Sequence, residues 1–181
     1  MRVGLASVKT GSVGDGMNAA ELSGAIRNTL TEYLKTLQIE LVQLEAKLPS
    51  AIDAEAKQKE CDYIIYANVS HKKGGGGGMF GKALGNIAGA AASSIGYSTG
   101  SVAGAVAGQA ASQAIYTASS VSQSIKSKDE LTLDIKVNAA SDGSAALTNQ
   151  YKAKAKSDGE DIISRIIEQA AQAVVDAIGK K

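Results

Sequence analysis

The chain reads as an α/β domain, a mixed β-sheet with packed helices, carrying a Gly/Ala-rich helical-hairpin insertion. Three observations predict this class. Short apolar strand-like runs alternate with amphipathic helical patterns as far as Val69. Near the C-terminus, two runs of period-2 alternation precede one amphipathic helix. Between these parts, 43 residues from Ala83 to Ile125 pass without a charged side chain. The expected order is β-α-β-α-β, insert, β-β-α. Residues 1–73 and 126–181 form the domain, and residues 74–125 the insertion.

Each element has its local signature. Val3–Val8 is a short apolar run and reads as a strand, followed by a loop over Lys9–Gly16. Asn18, with Glu21 three residues on, opens a helix whose face carries Leu22, Ile26, Leu30, Tyr33 and Leu37. Ile39–Leu44 is rich in β-formers. Pro49 and Ser50 start a helix ending near Lys59; its apolar face, Ile52 and Ala56, is slight, so loose surface packing is expected. Tyr63–Val69 is almost unbroken in apolar residues, as in a strand covered on both faces. His71, Lys72 and Lys73 then read as the exit to solvent.

After the insert, Leu131, Leu133, Ile135 and Val137 alternate with Thr132, Asp134, Lys136 and Asn138. Ser141-Asp142-Gly143-Ser144 is a turn, and the run from Leu147 to Lys156 is the return strand of a hairpin. Ser157 with Glu160 reads as the cap of the last helix, whose face carries Ile163, Ile166, Ile167, Ala170, Val174 and Ile178, with Gly179 at its end. Helical links between the first three strands imply right-handed crossovers and parallel pairing.

The insert opens with Gly74–Gly78. Gly81, Gly85 and Gly89 then recur every fourth residue, as do Gly96, Gly100, Gly104 and Gly108. On an α-helix this spacing drifts only about 40° per step, leaving a nearly continuous groove through which another helix approaches closely. Two helices, roughly Met79 to Ser94 and Thr99 to Ser122, would turn around Gly96-Tyr97. Each glycine costs about 1 kcal/mol relative to Ala, so seven cost on the order of 5–7 kcal/mol before packing. Close helix contact offsets such a cost; a lone surface helix has nothing to offset it with. The seven glycines are therefore the candidate oligomerisation residues. Three readings stand: a homo-oligomeric glycine-zipper core in water, a membrane-inserting hairpin, and a low-complexity loop.

Composition narrows the chemistry. Formal net charge is +1, with one Phe and no Trp, which argues against nucleic acid as a partner. One Cys excludes an intramolecular disulfide or a multi-thiolate zinc site, and one His excludes a multi-His metal centre. The loop Gly11–Gly16 lacks the GxxxxGK[ST] pattern, and Asp15 would repel a phosphate. Cys61 reads as a core thiol. Lys152, Lys154 and Lys156 read as a solvated comb guarding a strand edge. Arg2 leads straight into a strand, without a leader-like segment, so an extracytoplasmic location is expected only if a leader was removed.

The element order, with Cys61-Asp62-Tyr63-Ile64-Ile65 opening the third strand, resembles the periplasmic α/β domain of curli-type secretion channel (CsgG-like) proteins and TolB-type amino-terminal domains. That family usually places Gly-Ala-Asp at this point, and Cys61 departs from it. The chain is also similar to uncharacterised secreted bacterial proteins sharing AKQK, CD and SHKKGGGG. In the channel family a membrane-spanning β-hairpin occupies the insert's topological place; period-2 alternation is absent here. The expectation is a non-enzymatic structural protein of the bacterial envelope or exterior, a filament or ring subunit assembling with itself and needing no cofactor or metal. The alternative is a membrane-associated secretion or pore component.

Overall fold

Strand parity organises the domain. Along Glu130–Ala139 the residues Leu131, Leu133, Ile135 and Val137 are buried, while the residues between them are half-buried or exposed. A computed structural model describes residues 1–35, 39–74, 118 and 120–179. Its strands are β1 (Arg2–Leu5), β2 (Lys9–Val13), β3 (Glu40–Gln43), β4 (Tyr63–Lys72), β5 (Glu130–Ala139) and β6 (Ala145–Lys154). Among the described residues its longer helices are α1 (Ala19–Lys35), α2 (Pro49–Gln58) and α3 (Ile162–Ile178), and Ala118 and residues 120–122 are also helical.

The six strands form one mixed sheet in the order β3-β1-β4-β5-β6, with β2 also paired to β4. β1 runs parallel to β3 and β4 and the β5–β6 pair is antiparallel, as expected; β4 and β5 also pair antiparallel. One strand was not expected. Lys9–Val13, read as loop, pairs in parallel with Asn68–His71, directly beyond the place where β1 pairs with Tyr63–Ile65. The run Val3–Val8 breaks after Leu5 because the chain must step along β4. The polar residues of β2 show no apolar alternation, so only the ladder with β4 makes them a strand. β4 itself extends three residues beyond Val69 to meet them.

Helices α1 and α3 cover one face. Leu22, Ile26, Leu30 and Leu34 of α1 meet Ile163, Ile166, Ile167 and Val174 of α3 over Val3, Leu5, Ile65, Val69, Leu133 and Ile135. Ala118, Val121 and Ile125, at the C-terminal end of the insert, are buried in this same core. α2 lies on the other face, over one end of the sheet. The expected loose packing is not found: Ile52 and Ala56 are 2% and 0% exposed and form a second core with Ala6, Leu44, Cys61 and Ile64. Gly4 lets Leu44 and Cys61 close onto the strand beneath them; a Cβ at Gly4 would lie 2.8 Å from Leu44 Cδ1.

The caps differ in one place. Asn18 Oδ1 accepts from the amides of Ala20 and Glu21, as a helix cap should. The last helix is capped by Asp161, which accepts from Ser164 N, and not by Ser157. Glu160 instead turns back and accepts from the amides of Lys156 and Ser157, closing the loop ahead of the helix.

Candidate functional site

The best-built polar site is the neck where residues 74 and 126 meet. β4 and β5 pair along their whole length, from Tyr63↔Ala139 to Lys72↔Glu130. The two ends of the insert are therefore held side by side by the sheet. One carboxylate fastens them. Asp129, 1% exposed, accepts from Gly74 N at 2.6 Å, from Lys126 N at 2.9 Å and from His71 Nε2 at 3.0 Å. Its acid strength follows: burial alone raises the pKa, but the Gly74 and Lys126 amides and His71 outweigh it and hold the carboxyl below its ordinary range.

His71 is a correction. Read as a solvated strand exit, it is 3% exposed. It continues the inward series Tyr63, Ile65, Ala67 and Val69 on β4. A carboxylate only accepts, so the ring carries its proton on Nε2. Nδ1 is buried with no hydrogen-bond partner. Gly14 closes over it: the Gly14 amide donates to the His71 carbonyl, and a Cβ at Gly14 would lie 3.3 Å from Nδ1. The turn from Lys126 to Asp129 completes the neck, with Lys128 at φ 73°, a left-handed conformation uncommon outside glycine. Lys128 N donates to Ala155 O, Ala155 N to Asp129 O, and Gly159 N to Ile125 O. Asp158 Oδ1 accepts from Ser127 N.

The other candidate residues divide. Gly81, Gly85, Gly89, Gly96, Gly100, Gly104 and Gly108 lie outside the described residues. Around Gly11–Gly16 the chain is strand and turn, and the first amides of α1 are occupied by Asn18. Cys61 is buried, and burial pushes its thiol pKa up, consistent with a core thiol. Lys152 and Lys154 project from β6, which forms one edge of the sheet, and Lys156 beyond it is also exposed. Asp129 was missed by sequence reasoning; the one available signal was the inward parity of His71, a buried imidazole in need of a partner.

A second concavity, about 480 Å³, opens between α2 and the outer face of the sheet. Tyr66 donates to Asp53 Oδ1 at 2.9 Å there, and burial together with that bond pushes its pKa up to about 12. Asn138 Oδ1 is buried in its wall without a partner. Among the described residues, no three His, Cys, Asp or Glu side chains group closely enough to hold a metal ion, and no helix is long and apolar enough to cross a membrane.

No protein-family model matches the chain, and no curated protein matches it. Solved structures similar to it include the PelC dodecamer from Paraburkholderia phytofirmans, at 7% identity and a TM-score of 0.45, covering 97% of this chain and 86% of that one. The hypothetical protein CT253 from Chlamydia trachomatis is similar at 9% identity and a TM-score of 0.45, covering 98% and 94%. Lipoprotein GNA1162 from Neisseria meningitidis is similar at 9% identity and a TM-score of 0.40, covering 99% and 97%.

Proposed function

We propose that the α/β domain is a carrier that presents the Gly/Ala-rich insert for self-association, making the protein a non-enzymatic filament or ring subunit of the bacterial envelope or exterior. The observation that carries this reading is the neck. A single buried carboxylate ties Gly74 to Lys126, and Ala118, Val121 and Ile125 of the returning chain pack in the domain core, so the domain holds both flanks of the segment between them. A domain built to fasten both ends of an uncharged, glycine-spaced segment is suited to displaying that segment to a partner surface. The like partner is a second copy, because a small-residue groove is complementary to another such groove. The resemblance to curli-type channel domains directs the reading to the envelope. The polar groups of the neck bond to backbone amides and to one another, which suits a fastening role better than proton transfer.

Size-exclusion chromatography with light scattering, together with negative-stain imaging, tests this. The full chain should assemble beyond a monomer. The variant with Gly85, Gly89, Gly100 and Gly104→Leu should stay monomeric with the same thermal unfolding of the α/β domain. A full chain that remains monomeric at high concentration overturns the proposal.

A further inference from the structure

The formal charge of the chain is only +1, but the domain distributes its charges unevenly. The sheet places Lys72, Glu130 and Lys154 in one cross-strand row at the neck end. Lys73 follows Lys72, Lys128 sits in the neck turn against Gly74, and Lys156 follows Ala155, the backbone partner of Lys128. All five of these lysines are exposed, and none pairs with a carboxylate among the described residues. Three of the acids nearby are engaged elsewhere, while Asp15, next to Gly14 and so close to Lys73, is exposed. Asp129 is buried under the neck amides, Asp158 holds Ser127 N and faces Lys126 at 3.8 Å, and Glu160 pairs with Arg165. Glu130 is the one acid standing within the lysine row. At the opposite end of the sheet stand Glu40, Glu60, Asp62 and Asp142, with Arg2, Lys57 and Lys59 among them.

We infer that the neck end of the domain docks on an anionic lipid bilayer surface, with Lys72, Lys73, Lys128, Lys154 and Lys156 facing the headgroup phosphates. Three arguments favour a bilayer over a compact anion. The lysines surround the neck on separate segments and converge on no pocket, so they suit an extended plane of charge. Glu40, Glu60, Asp62 and Asp142 sit at the far end, where an anionic plane repels them least. The segment leaving between the lysines carries no charge from Ala83 to Ile125, so it does not oppose approach to lipid. Lysines near an anionic leaflet act additively, each giving about a fivefold gain in partitioning. The inference stands whether or not the insert self-associates, because all five lysines belong to the α/β domain.

The test uses full-length protein and sedimentation with phosphatidylcholine vesicles, plain or with about one lipid in three replaced by phosphatidylglycerol. Wild type should bind the phosphatidylglycerol vesicles and leave plain ones unbound. Binding should weaken as salt shortens the screening length from about 10 Å to about 3 Å. The triple variant Lys72→Gln, Lys73→Gln, Lys128→Gln should lose on the order of 100-fold in partitioning, at about fivefold per lysine. The pair Lys154→Gln, Lys156→Gln should lose about 25-fold on the same scale. Lys35, Lys47 and Lys57→Gln, away from the neck, should bind as wild type does. Equal binding to both vesicles, unchanged binding by both neck variants, or equal loss in the control triple overturns the inference. Binding of soluble polyphosphate as tight, per phosphate, as binding to vesicles would also overturn the bilayer as the occupant.

Discussion

His71 Nε2 donates to Asp129 Oδ2 across 3.0 Å, with both side chains 2% exposed. The pair joins the last inward position of β4 to the turn that leads into β5, so it closes the neck from inside. Removing one partner of a buried pair leaves the other without compensation. Asp129→Ala strands the Gly74 and Lys126 amides and the His71 ring together, and should destabilise the fold by about 3–5 kcal/mol. His71→Leu should also destabilise, and the double variant by less than the sum of the two. Urea unfolding of the four proteins measures this; strict additivity would show that the two side chains do not act together.

Two glycines should respond in opposite ways. A Cβ at Gly74 would lie 2.5 Å from Lys128 Cβ, with the Lys128 backbone as close, and backbone in a bonded turn has little room to move. Gly74→Ala should cost about 1–3 kcal/mol through overpacking. Gly24 lies inside α1 with nothing within 4 Å of an added Cβ. Gly24→Ala should stabilise by about 0.5–1 kcal/mol, because alanine loses less backbone entropy in a helix. Thermal unfolding of the two variants beside wild type gives the signs.

Much of this fold was legible because burial and periodicity agree. Leu131 to Val137 alternate strictly, the hairpin turn is polar, and the last helix carries an isoleucine stripe, so β5, β6 and α3 follow from pattern alone. Three features were not legible, each for a physical reason. Lys9–Val13 is polar on both faces, and a strand with no apolar face announces itself only through its partner. His71 stands beside two lysines, and that local charge masked the inward parity running from Tyr63 to Val69. Glu160 follows Ser157 at cap spacing, but its carboxylate bonds to the loop and Asp161 serves as the cap. At the candidate site, the ends of the insert were visible in the composition, whereas Asp129 depends on a contact 58 residues distant in sequence from His71.

Ile125 tests how far the insert belongs to the core. Sequence patterning groups it with the small-residue segment, as modest apolar bulk. In the fold it is 0% exposed and packs within the main core alongside Val121 and Ala118. Ile125→Ala should therefore cost about 2–5 kcal/mol, in the range of a buried core isoleucine. Leu133→Ala in β5, also 0% exposed, is the comparison. Chemical denaturation that finds Ile125→Ala harmless beside a costly Leu133→Ala would place Ile125 outside the cooperative unit.

The pH dependence of stability should be traceable to Glu55. Its carboxylate accepts from Lys59 Nζ at 2.7 Å and from the amides of Ala46 and Glu45. These bonds, Lys59 first, lower its pKa from 4.5 to about 2. A folded pKa below the unfolded one means that the unfolded chain binds the proton more readily. The contribution of Glu55 is then complete above the unfolded value near 4.5 and disappears as pH falls through about 2. Wild type should lose stability across this window, and Glu55→Gln, which has no charge to lose, should show a shallower decline. The comparison is best made as the difference in melting temperature between the two proteins at pH values above and inside the window. That difference should be largest at neutral pH and narrow on acidification. A gap that stays constant from neutral pH down to the bottom of the window would show that the carboxylate is not held in its charged form by Lys59 and the two amides.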